Sequence, residues 1–115
     1  MLIDENIFVV YGIYMVVIPE PIEFEWDKGN IDKNWLRHEV ANTEIEEVFS
    51  DKEKVLGPDM QHSAAEPRHF LLGRTKNGRL LYVILTLRKG KVRAISARDV
   101  NKKQRRFYEE ATKTA

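Results

Sequence analysis

Hydrophobic and polar positions change period several times along this chain. Ile7 to Ile18 is the most apolar stretch, rich in β-branched and aromatic residues, interrupted by Gly12 and ended by Pro19 and Pro21. That pattern predicts strand, bent into a hairpin at Gly12. The run is too short to cross a bilayer, which takes about 20 apolar residues, and it has neither the positive amino end nor the cleavage site of a secretory signal. Ile22 to Trp26 (IEFEW) alternates as a short strand. Asp27 then fits an N-cap for a helix over about 30–39 that buries Ile31, Trp35 and Leu36. A second helix is predicted from Thr43 to Phe49, with Ile45, Val48 and Phe49 inward and Glu44, Glu46 and Glu47 toward water. Lys54 to Leu56 reads as strand, followed by a turn at Gly57-Pro58-Asp59.

Three further strands are predicted at Arg68–Thr75, Leu80–Leu87 and Lys91–Ala97. The first two join through Asn77-Gly78, the favoured centre of a type I′ turn, and the next two through Lys89-Gly90. By strict alternation Arg93, Ile95 and Ala97 share one face. Asn101 and Gln104 form a capping-box variant that opens a closing helix to about Thr112, with Phe107 and Ala111 on its apolar face. The fold class is α+β: a twisted antiparallel sheet packed with two amino-terminal helices and one carboxy-terminal helix. Residues 22–115 form one domain and residues 1–21 an amino-terminal extension with strand character.

Composition narrows the chemistry. The 115 residues contain no cysteine, which removes disulfides, thiolate nucleophiles and Cys-rich zinc sites and fits a cytoplasmic protein. The net charge of +1 hides an asymmetry: residues 1–60 carry 14 acids and 5 bases, residues 61–115 carry 4 acids and 14 bases. In one folded domain the two halves become faces or edges, and a concentrated basic face suits a polyanion.

No Gly-rich phosphate loop and no Gly-x-Ser-x-Gly elbow is present, and the early carboxylates lack a histidine cluster, so neither a metal nor a cofactor is expected. Arginine and histidine remain. His38 ends the first helix, where it also complements the helix dipole. His62 lies in the polar segment Gln61–Pro67 with Ser63 and Glu66, and Arg68 and His69 follow. A histidine can take a proton from a hydroxyl or return one to a leaving group without a metal. Arg79, Arg88, Arg93 and Arg98 lie on or near neighbouring strands. Gathered over one sheet, they would clamp a phosphodiester and stabilise the charge of its transition state, with Arg68, Arg74 and Lys91 as further phosphate contacts.

The residues also form an ordered series. Phe24-Glu25-Trp26-Asp27, Asn34, Arg37-His38-x-Val40, Phe49-x-Asp51, His62-Ser63-x-x-Glu66-x-Arg68, Gly73, Gly78-Arg79, Thr86-x-Arg88, Arg93-x-Ile95-Ser96-Ala97-Arg98 and Arg105-x-x-Tyr108-Glu109 resemble, in order and spacing, the BrnT toxin family. The resemblance covers about 24–109. It departs at Glu39, where the family commonly has glycine, at Asn30, where a Lys-like residue is usual, and at Asn101-x-x-Gln104 in place of Thr-x-x-Glu.

The resemblance implies a type II toxin of RelE-like fold that cleaves RNA without a metal and inhibits translation. It also implies a BrnA-like ribbon-helix-helix antitoxin, with DNA bound only through the toxin–antitoxin complex and no membrane partner; a homodimer, or a heterotetramer with the antitoxin, is compatible. On this assignment His38 or Glu66 is the base toward the 2′-hydroxyl and His62 the acid toward the leaving 5′-oxygen. Arg79, Arg88, Arg93 and Arg98 hold the phosphate, and Tyr108 stacks or transfers a proton. Two alternatives use the same basic face, a non-catalytic nucleic-acid-binding module and a protein-interaction domain.

Overall fold

In the computed structural model, which describes residues 2–4, 7–10, 13–59 and 66–113 and side chains from residue 17 onward, the amino-terminal apolar run pairs with itself. Strands β1 (Leu2–Asp4), β2 (Ile7–Val10) and β3 (Ile13–Val16) form an antiparallel meander, with Val10 opposite Ile13. The hairpin is as the sequence predicts; β1 is an addition, and the bend at Gly12 lies outside the described residues. Next come helices α1 (Lys33–His38) and α2 (Asn42–Val48), and strand β4 (Val55–Pro58). Strands β5 (His69–Arg74), β6 (Leu80–Arg88) and β7 (Lys91–Asp99) and helix α3 (Lys102–Lys113) complete the α+β fold.

Strands β4 to β7 form one antiparallel sheet in chain order. Its centre, β6, is apolar on both parities because both faces are covered. Leu81, Val83 and Leu85 pack with Leu71, Val92, Ala94 and Ala97 against Val40, Ile45, Val48 and Phe49 of the α1–α2 region. On the other face Leu80 and Leu72 pack with Tyr108 of α3.

The type I′ geometry expected at Asn77-Gly78 is found instead at the Lys89-Gly90 turn. Lys89 and Gly90 both have positive φ (52° and 78°), the primed geometry. At the other hairpin only Gly78 does (87°). There Gly78 N–H donates to the Thr75 carbonyl, and Thr75 N–H to the Arg79 carbonyl, so a three-residue loop replaces the predicted two-residue turn. Gly57 and Pro58 extend β4 instead of turning, and Asp59 N–H pairs onward with the Arg68 carbonyl.

Helix α1 departs most from its hydrophobic pattern. Trp35 is 53% exposed, Leu36 84%, and Ile31 is exposed too, whereas Asn30 and Asn34 are buried. The cause is the sheet edge. Strand β7 has unpaired backbone groups on its outer side, and buried backbone groups must find partners. The 23–25 segment takes those of Val92 through one parallel bridge at Phe24, all that forms of the predicted Ile22–Trp26 strand. Side chains take the rest: Asn30 Nδ2 donates to the Ala94 carbonyl (3.2 Å), Lys33 Nζ to the Ile95 carbonyl (3.0 Å), and Ala97 N–H to Asn34 Oδ1 (2.9 Å). Asn30 in the turn before α1, with Lys33 and Asn34 in its first turn, seals the edge and turns the apolar side chains outward. Asp27 is correspondingly not the cap: α1 starts later, after Asp32, and Asp27 Oδ1 accepts from Gly29 N–H.

Helix α2 buries Ile45, Val48 and Phe49 as predicted. Its glutamates do not simply solvate: Glu44 binds Arg79, Glu46 accepts from Trp26 Nε1 (2.8 Å), and Glu47 accepts from Lys76 N–H (3.0 Å). The capping box of α3 forms, with reciprocal bonds between Asn101 and Gln104. Its inward residue, however, is Tyr108 (3% exposed), while Phe107 and Ala111 face out.

Candidate active site

Cross-strand register decides which basic side chains share a face. Thr86 lies opposite Arg93 and Arg88 opposite Lys91, but the β6–β7 register shifts at Ile84–Leu85, where Ile84 faces Ser96 and Leu85 faces Ala94. Ile95 is the extra residue of a β-bulge, and an extra residue inverts the parity beyond it. Ala97 therefore lies with the α1–α2 core, contrary to strict alternation. Arg98, opposite Tyr82, joins Arg93, Arg88 and Lys91 on the α3 face.

At the Arg88 end of this face the charges interlock. Arg88 donates to Glu66 through Nη2 (2.9 Å) and Nε (3.3 Å) and lies 3.8 Å from Glu25. Arg93, its side chain only 13% exposed, bridges Glu25 (2.9 Å) and Asp27 (2.8 Å). Lys91 faces Glu23 at 3.8 Å. Gly29 leaves the space that the Arg93 guanidinium fills: a Cβ there would come within 2.8 Å of Nη2. Beside this network opens a polar cleft of about 170 Å³ whose wall includes Lys33, Glu66, Arg68, Arg88 and Arg93.

Hydrogen bonding fixes the charge state. The bond from Arg93 holds the Asp27 carboxyl below its ordinary 3.8, and the bond from Arg88 holds Glu66 below 4.5 against the opposing effect of burial. Both guanidinium groups are shifted upward in turn, first by those same bonds. The two central cations of the cleft, Arg88 and Arg93, thus share their donors with internal carboxylates.

The other predicted residues lie elsewhere. Arg79 precedes the far end of β6, roughly 30 Å of strand from Arg88. There it grips Asp99 (2.7 Å) and Glu44 (3.1 Å) and donates to the His38 and Glu39 carbonyls that end α1. Its pKa is raised, chiefly by the Asp99 bond. His38 sits at that same end, away from Glu66. Arg98 lies over the Tyr82 ring, 4.7 Å from its centroid, and donates to Gln104 and the Asp99 carbonyl. Arg74 lies over Tyr108, whose hydroxyl donates to Asp51 (2.7 Å). Burial and that bond push the phenol up to about 12, out of range of proton transfer near neutrality. His62 is outside the described residues. Convergence of all four arginines is therefore corrected to Arg88 and Arg93, joined by Arg68 and Lys33.

Glu25, Asp27 and Lys33 were missed as site residues. Alternation in Ile22–Trp26 does place Glu23 and Glu25 on one face, but no local signal says which strand that face meets. Among the described residues, no three His, Asp or Glu side chains are grouped as metal ligands, and no helix is long and apolar enough to cross a membrane.

The profile of BrnT, the ribonuclease toxin of type II toxin–antitoxin systems, matches residues 26–104 of this chain. The chain belongs to the BrnT family. A search of curated proteins finds no match. Membership makes this BrnT chain a ribonuclease toxin of a type II system, with RNA as target and a protein antitoxin as partner. The matched span holds Asp27, Lys33, Glu66, Arg68, Arg88 and Arg93, so the cleft lies almost wholly within it. It leaves out the β1–β3 sheet, the acids Glu23 and Glu25, and most of α3.

Proposed function

We propose that the Glu66–Arg68–Arg88–Arg93 cleft binds a phosphodiester of RNA and cleaves it without a metal, by attack of the adjacent 2′-hydroxyl. The observation that carries this is the Glu66–Arg88 pair, a carboxylate and a doubly bonded guanidinium at the mouth of a cation-lined cleft. While Arg88 holds Glu66, the carboxylate is a weak base. A phosphate engaging Arg88 competes for the same donors, raises the Glu66 pKa toward its ordinary value, and so prepares the base as substrate arrives. Glu66 then takes the 2′-hydroxyl proton, the 2′-oxygen bonds to phosphorus, and the bond to the 5′-oxygen breaks. His62 returns a proton to that oxygen, and a 2′,3′-cyclic phosphate remains. Arg88 and Arg93 stabilise the charge on the phosphoryl oxygens.

Loss of intact messenger RNA would stop translation in the cytoplasm. A BrnA-like ribbon-helix-helix antitoxin would neutralise the toxin by covering this end of the molecule. In support, α1 lines the cleft with Lys33, and α1 with the turn before it exposes Trp35, Leu36 and Ile31, an apolar surface suited to a protein partner. DNA would be bound only through that complex. The test is labelled RNA incubated with purified protein in EDTA: a cyclic-phosphate product that added antitoxin suppresses supports the proposal. RNA that is shifted but whole shows a binding module, and RNA neither cut nor bound shows a docking protein; either result ends it.

A further inference from the structure

A second cavity opens farther along the α3 face, and the proposed chemistry does not use it. It measures about 340 Å³ and is largely apolar, with Phe70, Leu72 and Tyr82 of the sheet below and Lys103, Gln104 and Phe107 of α3 beside. Phe70 and Tyr82 stack, ring centroids 6.2 Å apart and planes 18° from parallel. The Arg98 guanidinium covers the Tyr82 ring, and Phe107, 54% exposed, stands at the side. A core residue on α3 would turn inward as Tyr108 does. Phe107 instead presents its ring to an open groove.

We infer that this groove is a nucleobase subsite, stacking an unpaired base of the RNA whose phosphate lies in the Arg88–Arg93 cleft. Continuity and charge select RNA as the occupant. Phe70 follows Arg68 of the cleft by two residues on the same parity, roughly 7 Å of extended chain, so cleft and groove are neighbours on one surface. Lys103 lines the groove, Arg98 lies over its Tyr82 ring, and the adjoining turns of α3 expose Lys102, Arg105 and Arg106. Aromatic rings flanked by basic side chains are what a single strand needs: the cations follow the phosphates and the rings accept any base face. Base identity would be discriminated at the polar lip, where Gln104 and Lys103 reach base edges. The inference rests on the proposed RNA cleft and deepens it by assigning the neighbouring nucleotide a place.

The test uses a fluorescent, fully 2′-O-methylated RNA oligomer, which lacks the nucleophile and stays whole, and an abasic oligomer of the same length. Phe107→Ala alters an exposed side chain, and the folded state is checked by its urea midpoint. Stacking of one base predicts a loss of roughly 10-fold in affinity for the RNA, unchanged affinity for the abasic oligomer, an unchanged salt slope, and recovery in Phe107→Tyr. Equal binding of RNA by wild type and Phe107→Ala, while Arg88→Gln weakens both oligomers, overturns the subsite and leaves the cleft standing. Failure of the wild type to bind either oligomer overturns both. If Phe107→Ala breaks up a self-association or antitoxin complex and leaves RNA affinity unchanged, the groove is a protein interface and the inference is wrong.

Discussion

Glu39 shows how far one backbone position can be dictated by its surroundings. It ends α1 at φ 54°, ψ 38°, the left-handed conformation in which glycine alone escapes a steric penalty. Glutamate stands here where the family commonly has glycine, yet the ending forms. Val40 N–H reaches the Asn34 carbonyl, Glu39 N–H the Trp35 carbonyl, and Arg79 caps the carbonyls of His38 and Glu39. Those bonds hold glutamate where it does not rest comfortably. Glu39→Gly should therefore stabilise the fold by about 0.5–1 kcal/mol, read as a higher urea midpoint with an unchanged slope; a lower midpoint would show that the Glu39 side chain contributes more than its backbone costs. At this scale the sequence was legible wherever a residue acts on its neighbours, as with the Asn101–Gln104 box. It was not legible for Arg79 or Tyr108, whose partners Asp99 and Asp51 are distant in the chain.

Element boundaries followed period and turn chemistry closely in β5, β6, β7 and α3, because a continuous apolar run between turn residues has few other readings. Face assignment failed where an element meets a sheet edge or a bulge. Helix α1 has a hydrophobic stripe, but β7 needs hydrogen-bond partners, and nothing local to Ile31, Trp35 or Leu36 announces that demand. The bulge at Ile95 is equally silent, and without it Arg98 would not join Arg93. The 23–27 segment matters for the site in the same way: Glu25 and Asp27 occupy the Arg93 donors that a phosphate would use. Removing one competitor should favour the ligand, so Asp27→Asn is predicted to tighten binding of a 2′-O-methylated RNA roughly two- to fivefold, the range of an exposed ion pair. Fluorescence anisotropy measures it, and weaker binding would mean that Asp27 mainly orients Arg93.

Over the whole molecule, charge asymmetry between the halves does not become two opposed faces. Acids from the first half meet bases from the second in the Glu44–Arg79, Glu25–Arg93 and Asp27–Arg93 pairs, leaving basic surface concentrated on α3 and the cleft wall. Several carboxylates end below their ordinary values: Glu66 through Arg88, Asp99 through Arg79, and Asp51 because bonds from Tyr108 and backbone N–H groups outweigh its burial. A carboxyl lowered on folding adds stability above its unfolded pKa and loses it as pH falls through the folded value. The urea midpoint should accordingly be flat from about pH 7 to 5 and fall steeply below about 4.5, less so in Asp99→Asn; a midpoint that holds to pH 3 would contradict these shifts. The central claim, that the Arg88 end of the sheet performs the cleavage, is tested most directly by single-turnover RNA cleavage with Arg88→Gln, Arg93→Gln and Arg79→Gln. The first two should each lose about 100-fold or more in rate while remaining folded, and Arg79→Gln should lose stability but keep its rate per folded molecule. Full cleavage by Arg88→Gln and Arg93→Gln would contradict the account.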